Sequence, residues 1–345
     1  MTTERRPRLT PPIADVRRAV REAFAAADLG HDELVLVGLS GGADSLALAA
    51  AAAFEAPRAG IRAGAVIVDH GLQDASSEIA DRARQQAVVL GLAPVLVTRV
   101  EVADPSDGGG PENAARDARR TAFAEALIET SATHLLLAHT LDDQAETVLL
   151  GLARGSGAAS LHGMAADSGA TLRPLLGIRR STTRQACLDA GLAPWDDPHN
   201  SDPSYARVRV RREVLPVLER ELGPGVAEAL ARTAEQLRED ADAFDEMIEE
   251  VIEDICEPAE AGIAVSVGAL EANPPALRNR IIRFVVFSEF GVALERVHVL
   301  AITRLVTDWH GQKAIDLPGG IQASRSGGHI VFSTIGSTEV LQHDH

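Results

Sequence analysis

The chain has 345 residues, of which 46% are hydrophobic and 24% charged, and a formal net charge of −17; it is long enough for two domains with a substantial core, and too acidic to be a general nucleic-acid coat. No apolar run approaches the roughly 20 residues of a membrane span, and the basic residues 1–7 have no apolar stretch behind them, so neither an anchor nor a secretory leader is expected. Its two cysteines, Cys187 and Cys256, lie far apart and in no metal spacing, which fits a reducing, cytoplasmic setting and excludes a disulfide scaffold or zinc finger.

In chain order, apolar runs at 34–39, 63–68, 94–100 and 134–138 read as strands buried on both faces, with helical patterns between them at 44–56, 76–90, 112–129 and 142–153. An extension and helix over 1–30 precede them. Repeated βα units predict an α/β, doubly wound parallel sheet with right-handed crossovers, occupying a catalytic domain over 31–218. Residues 104–111 read as a loop, and the irregular charged stretch 194–205 leaves the first domain. A helical pattern follows over 208–222. A second domain over 219–345 is expected to be mainly helical with short C-terminal strands. It opens on a long amphipathic helix in which Val226, Leu230, Thr233, Leu237, Ala241, Phe244, Ile248, Val251 and Ile255 recur at spacings of three and four. The opposite face, with Glu239, Asp242, Glu246, Glu249, Glu250 and Glu253, reads as a solvated surface. Residues 232–260 carry a net charge of −10, which leaves −7 for the rest of the chain. Helices near 275–289 and 294–309 and strands near 313–316, 321–324 and 330–333 complete the pattern.

Ligands of such sheets bind beyond the carboxyl ends of the strands, and three polar groups are placed there. The first, Ser40-Gly41-Gly42-Ala43-Asp44-Ser45, joins a strand to a helix. Backbone N–H groups and the positive helix end converge there on a spot that suits a phosphate. Gly41 and Gly42 allow positive φ and close approach, Ser40 and Ser45 offer hydroxyls, and Asp44 can cap the helix or hold a metal. It is no Walker loop, because no Gly-Lys-Ser/Thr closes it. The second group is Asp69-His70-Gly71-Leu72. The third is His139, followed by Asp142, Asp143 and Glu146 in the first turns of a helix. Asp142 and Glu146 are four apart and Asp143 and Glu146 three apart, so each pair shares a face; the carboxylates suit Mg²⁺ or an amino group. Arg116 and Arg119 share one helical side, which suits phosphate recognition or a solvated helix face, and Arg207, Arg209, Arg211 and Arg212 concentrate positive charge in an acidic chain, as an RNA-backbone contact or a surface salt-bridge network would.

In their order these motifs resemble the tRNA(Ile)-lysidine synthases, a family of PP-loop (N-type) ATP pyrophosphatases. The residues that carry the resemblance are the loop at 40–45, Val68-Asp69-His70-Gly71-Leu72, the block from Ala138 to Thr147 with Arg154-Gly155-Ser156-Gly157, Arg173-Pro174-Leu175-Leu176, and the segments 196–200 and 207–216. Two places depart from the family pattern: Asn113 and Arg120 stand in the arginine-helix motif, and 207–212 lacks an Arg-Asn-Arg form. The resemblance implies ATP-dependent ligation of free lysine onto carbon 2 of the wobble cytidine of an isoleucine tRNA with a CAU anticodon. An adenylated base forms first, and AMP and pyrophosphate are released. It further implies that Ser40, Gly41, Gly42, Ala43, Asp44 and Ser45 hold ATP. Mg²⁺ would sit at Asp44 and Asp143. His139, Asp142, Asp143, Glu146, Arg116 and Arg119 would serve catalysis or lysine binding, and Arg207, Arg209 and Arg211 would meet the tRNA. The 226–255 helix serves either domain packing or a homodimer. Competing readings are a tRNA thiolase or an amidating enzyme of the same superfamily, and a nucleotide-binding module without turnover. Thiolases generally need the cysteine pair that this chain lacks.

Overall fold

The computed structural model describes residues 9–71, 76–100, 110–155, 160–259 and 262–335; Leu72, most of the 104–111 loop and Ser156-Gly157 fall outside them. The chain divides into two compact units, one ending at Arg238 and the other beginning at Glu239.

In the first unit the apolar runs form β1 (Leu34–Gly38), β2 (Arg62–Asp69), β3 (Val95–Arg99) and β4 (His134–Leu136), joined by β5 (Thr171–Leu172). All neighbours pair in parallel, in the order β3-β2-β1-β4-β5. Alternation along β1 shows why consecutive apolar residues are needed. Leu34 and Leu36 pack with Phe123 and Ala126 of α4 (Gly110–Thr130) on one face. Val35 and Val37 join the larger core on the other face, with α1 (Pro11–Ala26), α2 (Ala43–Ala59), α3 (Ser76–Leu90) and α6 (Arg180–Asp189). Burying each such side chain stabilises the fold by about 1.5–3 kcal/mol. Alanines at 47, 49, 51 and 52 of α2, and at 80, 83 and 87 of α3, line the buried helix faces and leave room for close packing on the sheet. α5 (Leu141–Arg154) packs through Leu141 and Ala145 against Leu215 and Ala227. The strand order turns back between β1 and β4, and the carboxyl ends on either side of that switch open into a cleft.

Three local features differ from the pattern read in the sequence. β5 is too short to show a periodicity. α6 opens on the polar run Arg180-Ser181-Thr182-Thr183 and buries only Thr183, Ala186 and Cys187, so its amphipathic signal is weak. The continuous helix expected over 208–222 is instead α7 (Ala206–Arg209), a wide turn over Val210–Val214 and α8 (Leu215–Leu222). Leu215 donates its N–H to the Val210 carbonyl five residues back. Pro216 has no N–H, and its ring would crowd the carbonyl four residues before it, which favours this π-type widening.

The second unit contains most of α9 (Val226–Ile255), whose first residues belong to the first unit, then β6 (Cys256–Ala259), β7 (Gly262–Ser266), α10 (Val267–Ala272), α11 (Pro275–Phe290), α12 (Arg296–Thr307), β8 (Ile315–Leu317), β9 (Ile321–Ser326) and β10 (His329–Thr334). Its strands form one antiparallel sheet in the order β6-β7-β10-β9-β8. Ile248, Leu270, Ile281, Ile302, Ile330 and Phe332 form its core. Arg278 is buried there and donates to the carbonyls of Leu270, Glu271 and Asn273 at 2.7–3.2 Å, which satisfies the end of α10. β6 and β7 were not legible as strands. β6 contains Pro258, which an edge strand tolerates. From Glu235 onward the acidic residues of α9 are exposed, as a solvated face requires, whereas Glu228 in its first turn is part-buried against Arg179. Among the described residues no helix is long and apolar enough to cross a membrane.

Candidate active site

The cleft has a volume of about 1130 Å³ and is lined by the ends of β1, β2 and β4 and by residues from α4, α5, α6 and the 195–212 segment. Nine arginines and five aspartates line it. A protein of net charge −17 therefore presents a positive concavity, a shape that focuses field on an anionic ligand.

At the end of β1 the loop is folded by its own small polar residues. Gly41 takes φ = +81°, a left-handed conformation that a side chain would strain. Gly42 is the N-cap of α2 and carries no side chain to cap it, so the first-turn amides remain available to an anion. Ser45 Oγ donates to the Gly42 carbonyl at 2.9 Å and lies 3.1 Å from Ser40 Oγ, while Ser40 N–H donates to Ser45 Oγ at 3.3 Å. Trp195 N–H donates to the Gly41 carbonyl at 2.9 Å and ties the loop to the 195–212 segment. Asp44 accepts a hydrogen bond from Thr183 Oγ1 and lies 3.6 Å from Arg180 Nε. Burial raises its pKa, and the nearby Asp143 adds to the rise, against the pull of Thr183 and Arg180.

At the end of β2, Asp69 works as an internal acceptor for Gly71 N–H at 3.0 Å and Ser77 Oγ at 3.3 Å. Burial opposes its charge, but these bonds, with Ser76, hold its carboxyl below the ordinary value. His70 Nε2 lies 3.0 Å from Arg119 Nη2. Burial, then Arg119, keep the pKa of His70 low.

At the end of β4, Thr140 is the N-cap of α5 and forms a capping box with Asp143. Asp143 Oδ2 accepts from Thr140 N–H at 2.8 Å and Thr140 Oγ1 at 2.7 Å, which leaves Oδ1 to face Arg180 Nη2 at 2.6 Å and Arg211 Nη2 at 3.5 Å. Burial opposes ionisation of Asp143, but Arg180 and Thr140 outweigh it and lower the pKa. Glu146 has 0% exposure. Arg211 grips it with Nε at 2.7 Å and Nη2 at 3.0 Å, and Arg180 Nη1 adds a third bond at 3.1 Å. His139 is brought beside this pair with its Nδ1 buried and unpartnered among the described residues. Burial lowers its pKa from 6.5 to about 4, with Asp143 opposing and Arg173, Arg207 and Arg119 reinforcing the fall. At neutral pH it is uncharged.

The loop residues, His139, Asp143, Glu146, Arg116, Arg119, Arg207 and Arg211 thus gather in or directly behind one cleft. Asp142 does not join them. Its Oδ2 accepts the Arg180 backbone N–H at 2.8 Å and its Oδ1 lies 3.5 Å from Arg179, so it anchors α6 to α5. In the arginine cluster read as an RNA contact or a salt-bridge network, Arg207, Arg209 and Arg211 are held by the protein's own groups. Arg211 turns inward to the carboxylates, and Arg207 donates to Thr147 Oγ1 at 3.1 Å. Arg209 donates to the carbonyls of Pro203 and Ser204 at 2.7 and 2.8 Å. Arg180, which touches Asp44, Asp143 and Glu146, belongs to no sequence motif because its partners lie more than thirty residues away. Arg173 lines the cleft with Nε buried and unpartnered among the described residues.

A divalent cation was expected at Asp44 and Asp143. Among the described residues no group of three or more His, Cys, Asp or Glu side chains could hold a metal. Asp143 has both oxygens engaged by Thr140 and two arginines, so it does not fit a ligand role. Asp44, raised in pKa at the phosphate loop, fits the mode in which Mg²⁺ is held by one carboxylate, waters and substrate phosphates.

Residues 14–218 match the PP-loop domain family, and residues 266–331 match the TilS substrate binding domain. A tRNA(Ile)-lysidine synthase of Leifsonia xyli subsp. xyli is 63% identical over 88% of this chain and 91% of its own length. That of Thermobifida fusca is 49% identical over 94% and 98%. The solved structure of the U34-tRNA thiolase NcsA from Methanococcus maripaludis with its [4Fe-4S] cluster is 20% identical, covers 66% of this chain and 80% of its own, and superposes with a TM-score of 0.55; that likeness concerns the fold alone. With its parallel sheet, its glycine loop after β1 and identities of this size over nearly the whole length, the chain belongs to the tRNA(Ile)-lysidine synthase family.

Proposed function

We propose that the protein joins the amino group of free lysine to carbon 2 of the wobble cytidine of an isoleucine tRNA with a CAU anticodon, at the expense of ATP. The observation that carries this reading is that Asp143 lines the same cleft as the phosphate loop, with Glu146 buried directly behind it and both linked to the loop through Arg180. A nucleotide and an amine then meet within one cavity.

In the first step the cytidine carbonyl oxygen attacks the α-phosphate of ATP, and pyrophosphate leaves. Loop amides and the α2 N-terminus receive the phosphates, and Arg116 and Arg119 add positive charge from α4. Mg²⁺ held through Asp44 would neutralise charge that develops on the phosphates. In the second step the lysine ammonium first gives a proton to water; the free amine then forms a bond to carbon 2, gives up a second proton to water, and AMP leaves as the bond from carbon 2 to its phosphate oxygen breaks. Asp143 receives the ammonium when lysine enters, Glu146 adds negative charge from behind it, and uncharged His139 stands beside them as a hydrogen-bonding group. Most of the acceleration assigned to these residues is positioning. The cytidine must be presented unstacked. ATP, lysine and tRNA as substrates, with both cysteines free, support a cytoplasmic reaction.

A thiolase reading needs reactive cysteines. Cys187 is fully buried with its thiol pushed up to about 11, and neither cysteine is among the described residues that line the cleft, which does not support a thiolate carrying sulfur there. The test is incubation with ATP, Mg²⁺, labelled lysine and unmodified isoleucine tRNA. Label is expected in the tRNA, with AMP formed in equal amount; AMP formation without label in the presence of an active control contradicts lysine as the nucleophile.

A further inference from the structure

We propose that Arg180 couples nucleotide and amine binding: its guanidinium lies on the carboxylates that the lysine ammonium would use, and phosphate at the β1 loop draws it away. This rests on the functional reading above and assigns a positioning role to a residue that no sequence motif singled out.

Arg180 is the first residue of α6, and its three guanidinium nitrogens reach two different elements. Nε faces Asp44 of α2 at 3.6 Å, while Nη2 and Nη1 meet Asp143 and Glu146 of α5 at 2.6 and 3.1 Å. Its backbone is fixed independently, since its N–H donates to Asp142 at 2.8 Å and Thr183, one turn later, bonds Asp44. The anchor is therefore rigid and the long side chain is what can move. It lines the cleft and keeps 25% of its surface exposed, so a ligand can meet it.

The two carboxylates respond differently when Arg180 moves. Glu146 keeps its two bonds to Arg211. Asp143 keeps Thr140 on Oδ2, but its Oδ1 loses the nearest donor and retains only Arg211 at 3.5 Å. Oδ1 of Asp143 is thus the atom released to an ammonium. The exchange replaces one positive charge with another, so no buried carboxylate is left uncompensated. Without nucleotide the displaced guanidinium has, among the described residues, Asp44 at 3.6 Å and the weaker pull of Asp142 to turn to. A bound phosphate gives it a second anion beside Asp44, and amine entry becomes easier. By linkage, lysine strengthens nucleotide binding by the same factor.

Calorimetric titration of L-lysine into the full chain, with and without a non-hydrolysable α,β-methylene ATP analogue, tests this. The wild-type protein is expected to bind lysine about tenfold more tightly with the analogue, and the analogue about tenfold more tightly with lysine. Norleucine, which lacks the ammonium, shows no such dependence. In R180Q lysine binds the nucleotide-free protein at least tenfold more tightly than it binds the nucleotide-free wild type, and the dependence on the analogue disappears; R180K restores part of it. Equal lysine affinity with and without the analogue in the wild type overturns the coupling, whether or not R180Q folds, and so does an R180Q protein that binds lysine no better than the nucleotide-free wild type. If lysine transfer to tRNA proceeds while the coupling is absent, only this proposal falls. If the wild type neither binds nor transfers lysine, the functional reading falls with it.

Discussion

Glu146 is fully buried and held by three hydrogen bonds from two guanidiniums, so its worth is set by what its loss leaves behind. In Glu146→Gln, Arg180 and Arg211 face a neutral amide in a buried site. The expected cost is about 3–5 kcal/mol of stability, read by denaturant unfolding; a change below about 1 kcal/mol would show that the pair is solvated. His139 makes a separate prediction through pH. It is neutral in the folded protein with a pKa near 4, whereas the unfolded chain takes up a proton near 6.5. Its contribution is fully present above 6.5 and lost as pH falls from 6.5 towards 4, by about 3 kcal/mol in all. Asp143, lowered from 3.8, gives way only at still lower pH. His139→Gln is expected to flatten the unfolding free energy between pH 6.5 and 4, and an unchanged slope would assign that acid sensitivity to other groups.

At the level of elements, the sheet was legible because each strand is a short apolar run flanked by turns, and the phosphate loop because its residues are contiguous. The carboxylates Asp143 and Glu146 were legible as a helix-start pattern, although which acid faces the cleft was not. Asp142 and Asp143 are neighbours in sequence, but one anchors α6 and the other faces the cleft. Arg180 was invisible because its role depends on a contact made by the fold. The direction of the 207–212 arginines was not legible either, because Pro216 widens the helix into a π-type turn and a regular 3.6-residue period no longer gives the facing of Arg211. Pro216→Ala supplies the missing N–H and removes the clash with the preceding turn. It is expected to turn Arg211 from Glu146, lowering the melting temperature because a buried carboxylate loses two of its three hydrogen bonds, and to lower the KM for lysine about tenfold as one guanidinium leaves the carboxylates. An unchanged KM would mean that the widened turn does not aim Arg211.

For the whole molecule the distribution of charge matters more than its sum. Acidic residues collect on the exposed face of α9, while the cleft holds nine arginines against five aspartates. Affinity for tRNA is expected to fall with salt, and the R209E/R212E protein, changed at two exposed arginines, to show a slope in log affinity against log salt shallower by about one unit for each phosphate that it no longer neutralises. An unaltered slope would place the backbone contacts away from the 207–212 segment. The division of labour within the cleft is tested most directly by separating its two half-reactions on unmodified isoleucine tRNA with a CAU anticodon. The wild type should exchange pyrophosphate into ATP and transfer labelled lysine. Asp143→Asn should retain the exchange and lose about a hundredfold in transfer. Transfer at the wild-type rate by Asp143→Asn, or loss of exchange and transfer in equal measure, would contradict an amine site distinct from the phosphate loop.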